Sequence, residues 1–256
     1  MRSLSVSNRR IRAPALHALA SLGVAAIAAL IVFAVWFPPP YAMIVGGLNL
    51  FLILVSVDVV MGPALTAVAA DPRKPARTFL RDLAVIVALQ VCALAYGLHV
   101  MWGARPVVLA FEVDRMRLLV AADIDPLMLS EAPPPLRKLS WKGPQLVAAV
   151  RPATREETLR AIDLALAGLD ISNVPKNWRS YETQSVSAWN AARVASELDT
   201  RYPSVHDELA RIAAEAKTSV SELRFLPLVS RFNGGSVVLA PPDARVVGVL
   251  TVDGFL

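Results

Sequence analysis

Residues 16–37 read LHALASLGVAAIAALIVFAVWF, an apolar run interrupted only by His17 and Ser21. At 1.5 Å per residue, about 22 helical residues suffice to cross a hydrocarbon core of about 30 Å. The run is therefore read as a first membrane span. Arg9, Arg10 and Arg12 precede it, as basic residues precede a secretory signal or a twin-arginine leader. The run is long for a signal core, however, and ends on Trp36-Phe37-Pro38-Pro39-Pro40 with no small-residue cleavage site, so it is expected to remain in the chain.

Two further runs follow. Residues 43–70 are apolar apart from Asp58 and contain Gly62-Pro63, a pair expected to kink or end the helix. Residues 83–102 carry no formal charge. This hydrophobicity is concentrated in one part of the chain. Of 256 residues, 55% are hydrophobic and only 18% charged, with a mean hydropathy of +0.50, too apolar for a soluble domain of this size. Up to Trp102 the only acids are Asp58, Asp71 and Asp82, against basic Arg2, Arg9, Arg10, Arg12, Arg73, Lys74, Arg77 and Arg81. The remainder is charge-balanced, so the net charge of +5 sits wholly in the membrane half. The basic pI thus reflects clusters beside apolar spans, not a nucleic-acid surface, and nucleic acid is not an expected partner; membrane lipid is.

Those clusters set direction. Arg73, Lys74, Arg77 and Arg81 lie between the second and third spans, whereas the Pro-rich link between the first and second has no basic residue. Under the positive-inside rule the expected organisation is a cytoplasmic N-terminus (1–15), a three-helix transmembrane region (16–102) and a domain of residues 103–256 on the outer side, which in a bacterial inner membrane is the periplasm. Arg105, Arg115 and Arg117 after the third span do not reverse this, since long domains translocate largely regardless of charge.

Asp58 is the costliest residue in the sequence, because a carboxylate deep in a bilayer carries a penalty of at least about 2.5 kcal/mol and is normally paired or protonated. Counting helical rise from the outer ends puts Asp58 about 22 Å down its span and Gln90 about 18 Å down the next, level enough to meet on antiparallel neighbours. The same count puts Asn49 and Tyr96 at about 9 Å, a second candidate polar rung. Three readings remain open for these groups: they hold the spans together, Asp58 sits near the inner interface because the helix ends at Gly62-Pro63, or they dock a partner's membrane helix or charged terminus. Proton or ion transport has thin material in three spans and one acid. An intramembrane aspartyl protease needs a second cooperating acid, and Asp82 fits better as a helix-start residue of the third span.

Beyond Trp102 the pattern predicts a soluble α+β domain with antiparallel strands and about three helices. Strands are expected at 107–113, 115–121 and 145–150, and a closing antiparallel meander at 223–231, 236–240 and 245–252 with a turn at Asn233-Gly234-Gly235. One helix is predicted from the Thr154-Arg155-Glu156-Glu157 cap, burying Leu159, Ile162, Leu166 and Leu169. A second is predicted over 185–200, with Val186, Trp189, Val194 and Leu198 inward, and a third from Ser204, burying Leu209, Ile212 and Ala216. Trp178, Tyr181 and Trp189 are read as core aromatics ahead of a binding patch. Cys92 is the only cysteine, so no intramolecular disulfide forms. No Walker loop, Gly-x-Ser-x-Gly elbow or His-Glu-x-x-His helix occurs, and His17, His99 and His206 are scattered. No catalytic, cofactor-binding or metal residue is assigned.

Several stretches carry a family resemblance: Val57-Asp58-Val59-Val60-Met61-Gly62-Pro63-Ala64-Leu65-Thr66, Arg81-Asp82-Leu83-Ala84 with Gln90, Ala93-Leu94-Ala95-Tyr96-Gly97, Ala104-Arg105-Pro106, Phe111-Glu112-Val113-Asp114-Arg115 and Leu226-Pro227-Leu228. In their order and spacing the chain resembles the TfpX/TfpZ family of type IV pilin accessory proteins, bacterial inner-membrane proteins, over nearly its whole length. One departure is Phe232-Asn233-Gly234-Gly235, where that family has a longer, often Trp-containing link. The resemblance implies a non-enzymatic role in assembling or regulating type IV pili, with the pilin or the inner-membrane pilus machinery as partner. The alternative from another class is a membrane-anchored periplasmic sensor that binds a small ligand, and its weakness is that twelve loop residues cannot form a signalling output.

Overall fold

The computed structural model describes residues 3–152, 154, 155, 159, 166 and 169–256. They form two compact units: residues 1–35 with 47–103, and residues 36–46 with 104–256.

The first unit contains three helices long and apolar enough to span a membrane, Arg10–Trp36, Gly47–Ala69 and Ala76–Ala104. The first comprises α1 (Ser3–Ile31) and a terminal π-helical turn, Val32–Trp36. The second comprises α2 (Gly47–Ser56), a π-helical turn at Val57–Met61 and α3 (Gly62–Ala69); the third is α4 (Ala76–Ala104). Of the two outcomes expected at Gly62-Pro63, a kink or an end, the end does not occur. Pro63 has no N–H to offer the carbonyl four residues back, and the wider turn just before it accommodates the lost bond while the helix runs on. The third helix begins at Ala76, seven residues before the apolar run, because Arg77 and Arg81 are exposed and good helix formers. Asp82 consequently lies in its second turn, where it accepts a hydrogen bond from Lys74 Nζ at 2.8 Å.

The second unit is built on one mixed sheet. Its strands are β1 (Pro106–Glu112), β2 (Arg115–Val120), β3 (Gln145–Ala149), β4 (Trp178–Ser180), β5 (Arg193–Val194), β6 (Arg224–Val229), β7 (Gly235–Ala240) and β8 (Arg245–Leu250). The order is β4-β3-β1-β2-β6-β7-β8, with β5 paired to β6. The expected purely antiparallel arrangement is corrected here: β1 runs parallel to β3, and β2 parallel to β6. Each parallel pair is joined through a long connection, which is what parallel neighbours require. Every residue of β1 and β7 is buried, as in strands covered on both faces.

Two hydrophobic clusters cover the sheet. The helix His206–Ala216 packs Leu209 and Ile212 with Phe225, Val238 and Leu250, and a Cβ at Gly248 would overlap Ile212, so residue 248 lets helix and sheet approach closely. The other cluster gathers Val107, Leu119, Val147 and fully buried Trp178, whose Nε1 donates to the Ser172 carbonyl at 2.8 Å. Tyr181 is buried too, and its hydroxyl donates to the Ala244 carbonyl at 2.7 Å. Trp189 stays half-buried beneath the Arg224 guanidinium, 4.6 Å from the ring centroid.

The helix expected over 185–200 is two shorter ones, Ser185–Ala191 and Ser196–Arg201, separated by β5. Only Leu198 of its expected inward set is fully buried, while Val186 and Val194 face solvent. The Arg193 and Val194 backbone pairs with Phe225 and Arg224 of β6, an edge contact that residue periodicity does not encode. Of the face that the sequence predicts to be buried between Thr154 and Leu169, Leu159 and Leu166 are exposed and Leu169 is half-buried, while Ile162 and most of the rest of that segment lie outside the described residues.

Candidate functional site

On the second span Asp58, Gly62 and Thr66 follow at four-residue intervals, which stacks them on one helical face, and all three are buried. Each meets a polar or close-packed partner from a neighbouring span. Gln90 of the third span donates its side-chain amide to the Asp58 main-chain carbonyl at 3.1 Å. This carbonyl lies within the π-helical turn, where regular helical pairing is disturbed, so the amide stabilises backbone that Pro63 and the wide turn perturb. A Cβ at position 62 would overlap the Gln90 amide, so glycine there creates the space the amide occupies. One turn further, His17 Nδ1 of the first span lies 2.6 Å from Thr66 Oγ1.

The level counting therefore brings Asp58 and Gln90 together, although the contact runs through the main chain of Asp58. The second rung does not close: Tyr96 is 71% exposed, Asn49 is exposed, and among the described residues no hydrogen bond joins them. At this height small residues do the packing, since a Cβ at Gly97 would overlap Leu54. The His17–Thr66 contact is not among those that level counting predicts. Its signal was present, because His17 and Ser21, the two polar residues of the first run, are one helical turn apart and therefore share a face.

A cavity of about 510 Å³ opens beside this junction, between residues 13–24 of the first span and residues 79–94 of the third. Its lining is largely apolar, with His17, Ser21, Asp58 and Gln90 as the polar exceptions. Asp58 is 7% exposed, and neither its Oδ1 nor Gln90 Oε1 has a hydrogen-bond partner among the described residues. Two buried acceptors thus border one apolar space. Such groups are normally satisfied, so this pair marks a place where a donor is missing. Among the described residues no group of His, Cys, Asp and Glu is placed to hold a metal ion.

The second unit has its own unusual junction. The link after the first span, residues 36–46, packs into this unit with Phe37, Ile44 and Val45 almost fully buried. Asn233 clamps it twice, donating its main-chain N–H to the Ile44 carbonyl at 3.2 Å and its Nδ2 to the Met43 carbonyl at 2.8 Å. Ser230 Oγ donates to the same Ile44 carbonyl at 2.9 Å. Gly46, at φ +69, is turned toward Phe232, whose ring lies 3.6 Å from where a Cβ would stand. The Phe232-Asn233-Gly234-Gly235 stretch, read from sequence as a hairpin turn, is thus also the receptor for this link.

Comparison with known proteins adds relatives along almost the entire chain. It is 31% identical over 241 residues to a fimbrial assembly protein, serogroup I, of Dichelobacter nodosus, covering 94% of each chain. The serogroup E1 fimbrial assembly protein of that organism is 30% identical over the same extent. That for serogroups C1 and C2 is 39% identical over 118 residues, 46% of this chain and 88% of the relative. The family model described as fimbrial assembly protein FimB matches residues 6–46. No solved structure matches.

Proposed function

Because the chain belongs to the fimbrial assembly protein family, we propose that it is a non-enzymatic inner-membrane accessory factor for type IV pilus assembly or regulation, of the TfpX/TfpZ kind, acting on the pilin or on the inner-membrane pilus machinery. The observation that carries this reading is similarity to fimbrial assembly proteins over 94% of the chain, spans and outer domain together. A role residing in one half alone would not require both.

In this reading the N-terminus and residues 71–82 are cytoplasmic, and residues 103–256 are periplasmic. The exposed basic side chains of Arg10, Arg12, Arg73, Arg77 and Arg81 support that direction. The packing of residues 36–46 into the C-terminal unit supports the count of three spans rather than their direction, since two spans between the first link and the C-terminal domain leave both on the same side. A fimbrial subunit awaiting assembly holds an apolar helix in the bilayer and a globular head outside. An accessory that serves it needs surfaces in both compartments, and this chain has both. The Asp58–Gln90 junction is assigned to the membrane surface and the mixed-sheet domain to the outer one.

The test is deletion of the gene in its own host. Surface fimbriae and twitching motility are expected to fall and to return when the intact chain is supplied. Normal fimbriation and motility in the deletion strain would overturn the proposal.

A further inference from the structure

The cavity in the membrane unit is elongated. Its walls run over residues 13–24 of the first span and 79–94 of the third, lengths of about 16 Å and 22 Å at helical rise. The first-span wall is low, with Ala13, Ala20 and Ser21 on one face, and small residues let another helix backbone come close. The third span makes few close approaches to the other two, and none of its most apolar window is buried. Beside this groove lie two acceptors without donors, Asp58 Oδ1 and Gln90 Oε1, with Asp58 more than nine-tenths buried.

We propose that this groove between the first and third spans receives a membrane-spanning helix of the fimbrial subunit, which supplies a hydrogen-bond donor to Asp58 and Gln90. The inference rests on the function proposed above and gives it a location and a chemistry. Acyl chains could fill the apolar length, but they carry no donor and leave both acceptors unpaired in hydrocarbon. A helix meets both requirements. Part of its apolar length fills the groove, and one hydroxyl, amide or ammonium on its surface satisfies the acceptors. Asp58 Oδ1 thereby gains a donor in the complex, which makes docking sensitive to the position of that donor.

The experiment uses the full chain in host membranes. A photo-crosslinking residue is placed at Val87, which lines the groove, and in separate variants at Val85 and Leu89, exposed positions of the same helix outside it. Expected is an adduct with the fimbrial subunit from position 87 and none from 85 or 89. Asp58→Leu should lower that adduct by about threefold or more, the worth of one intramembrane hydrogen bond. Should Asp58→Leu fail to accumulate, Gln90→Leu removes the second acceptor and should produce the same drop. Adducts from position 87 only with lipid, or only with a second copy of this chain, would overturn the inference. So would equal yield from all three positions. A crosslinker at exposed Leu127 separates the two ideas: subunit captured there but not at 87 removes the groove proposal and leaves the fimbrial function standing.

Discussion

Gln90 and Gly62 occupy one space: the amide of Gln90 fills the volume that a side chain at residue 62 would take, and from there it reaches the Asp58 carbonyl at 3.1 Å. The third span is thereby pinned to the irregular turn of the second. The obstruction is the far end of a flexible side chain, so its displacement is cheap in packing but forfeits the hydrogen bond.

Gly62→Ala should therefore weaken association of the spans by about 0.6 kcal/mol, the typical worth of a hydrogen bond between membrane helices. Gly62→Leu should cost more, because it also displaces the third span. Thermal unfolding of the detergent-solubilised full chain checks both. Equal melting temperatures for Gly62→Leu and the parent would show that the two residues do not compete for space.

The link through residues 36–46 makes a separate prediction. Asn233→Ala removes the Nδ2 bond to Met43 while leaving the main-chain N–H on Ile44, a loss of about 1 kcal/mol. Amide hydrogen exchange over residues 41–46 should quicken, with exchange in the helix His206–Ala216 unchanged.

His206 gives a pH-dependent signature. Its Nδ1 stands 3.0 Å from Asp199 Oδ2, and this hydrogen bond, together with the carboxylate charge, holds the imidazole pKa above its ordinary value of 6.5. A raised folded-state pKa means the contribution is fully present below the unfolded pKa and is lost as pH rises through the folded one. An NMR titration should find His206 titrating above 6.5, and Asp199→Asn should move the midpoint down.

Phe225→Ala should destabilise the C-terminal domain by about 3–5 kcal/mol, since it empties a fully buried position of β6 in the cluster that holds the helix His206–Ala216. Trp178→Phe should cost less, about 1–3 kcal/mol, because it keeps most of the packing but strands the Ser172 carbonyl. The ordering of the two melting temperatures is the check.

Much of this architecture is legible in the sequence because it is local. Apolar length gave the spans, helical rise put Asp58 level with Gln90, and alternation located β1, β2, β3, β6, β7 and β8 to within a residue or two. What escaped depends on distant neighbours. Pro63 announces a lost hydrogen bond but not that a π turn will absorb it. The Asn233-Gly234 turn reads as a hairpin, and nothing local indicates that residues 43–44 will bind to it. The parallel β1–β3 and β2–β6 pairs arise from long connections, whose return path leaves no mark on the strands themselves. Arg193 and Val194 fit a helical period and are drawn into β5 by the open edge of β6.

The roles proposed for both halves of the chain depend most on its direction through the membrane. A dual reporter, active as an alkaline phosphatase outside and as a β-galactosidase inside, fused after Trp102 and separately after Lys74, tests it directly. Phosphatase activity after Trp102 with galactosidase activity after Lys74 is the predicted result. The reverse pattern would put the mixed-sheet domain in the cytoplasm, away from any assembled fimbrial head, and would contradict the account.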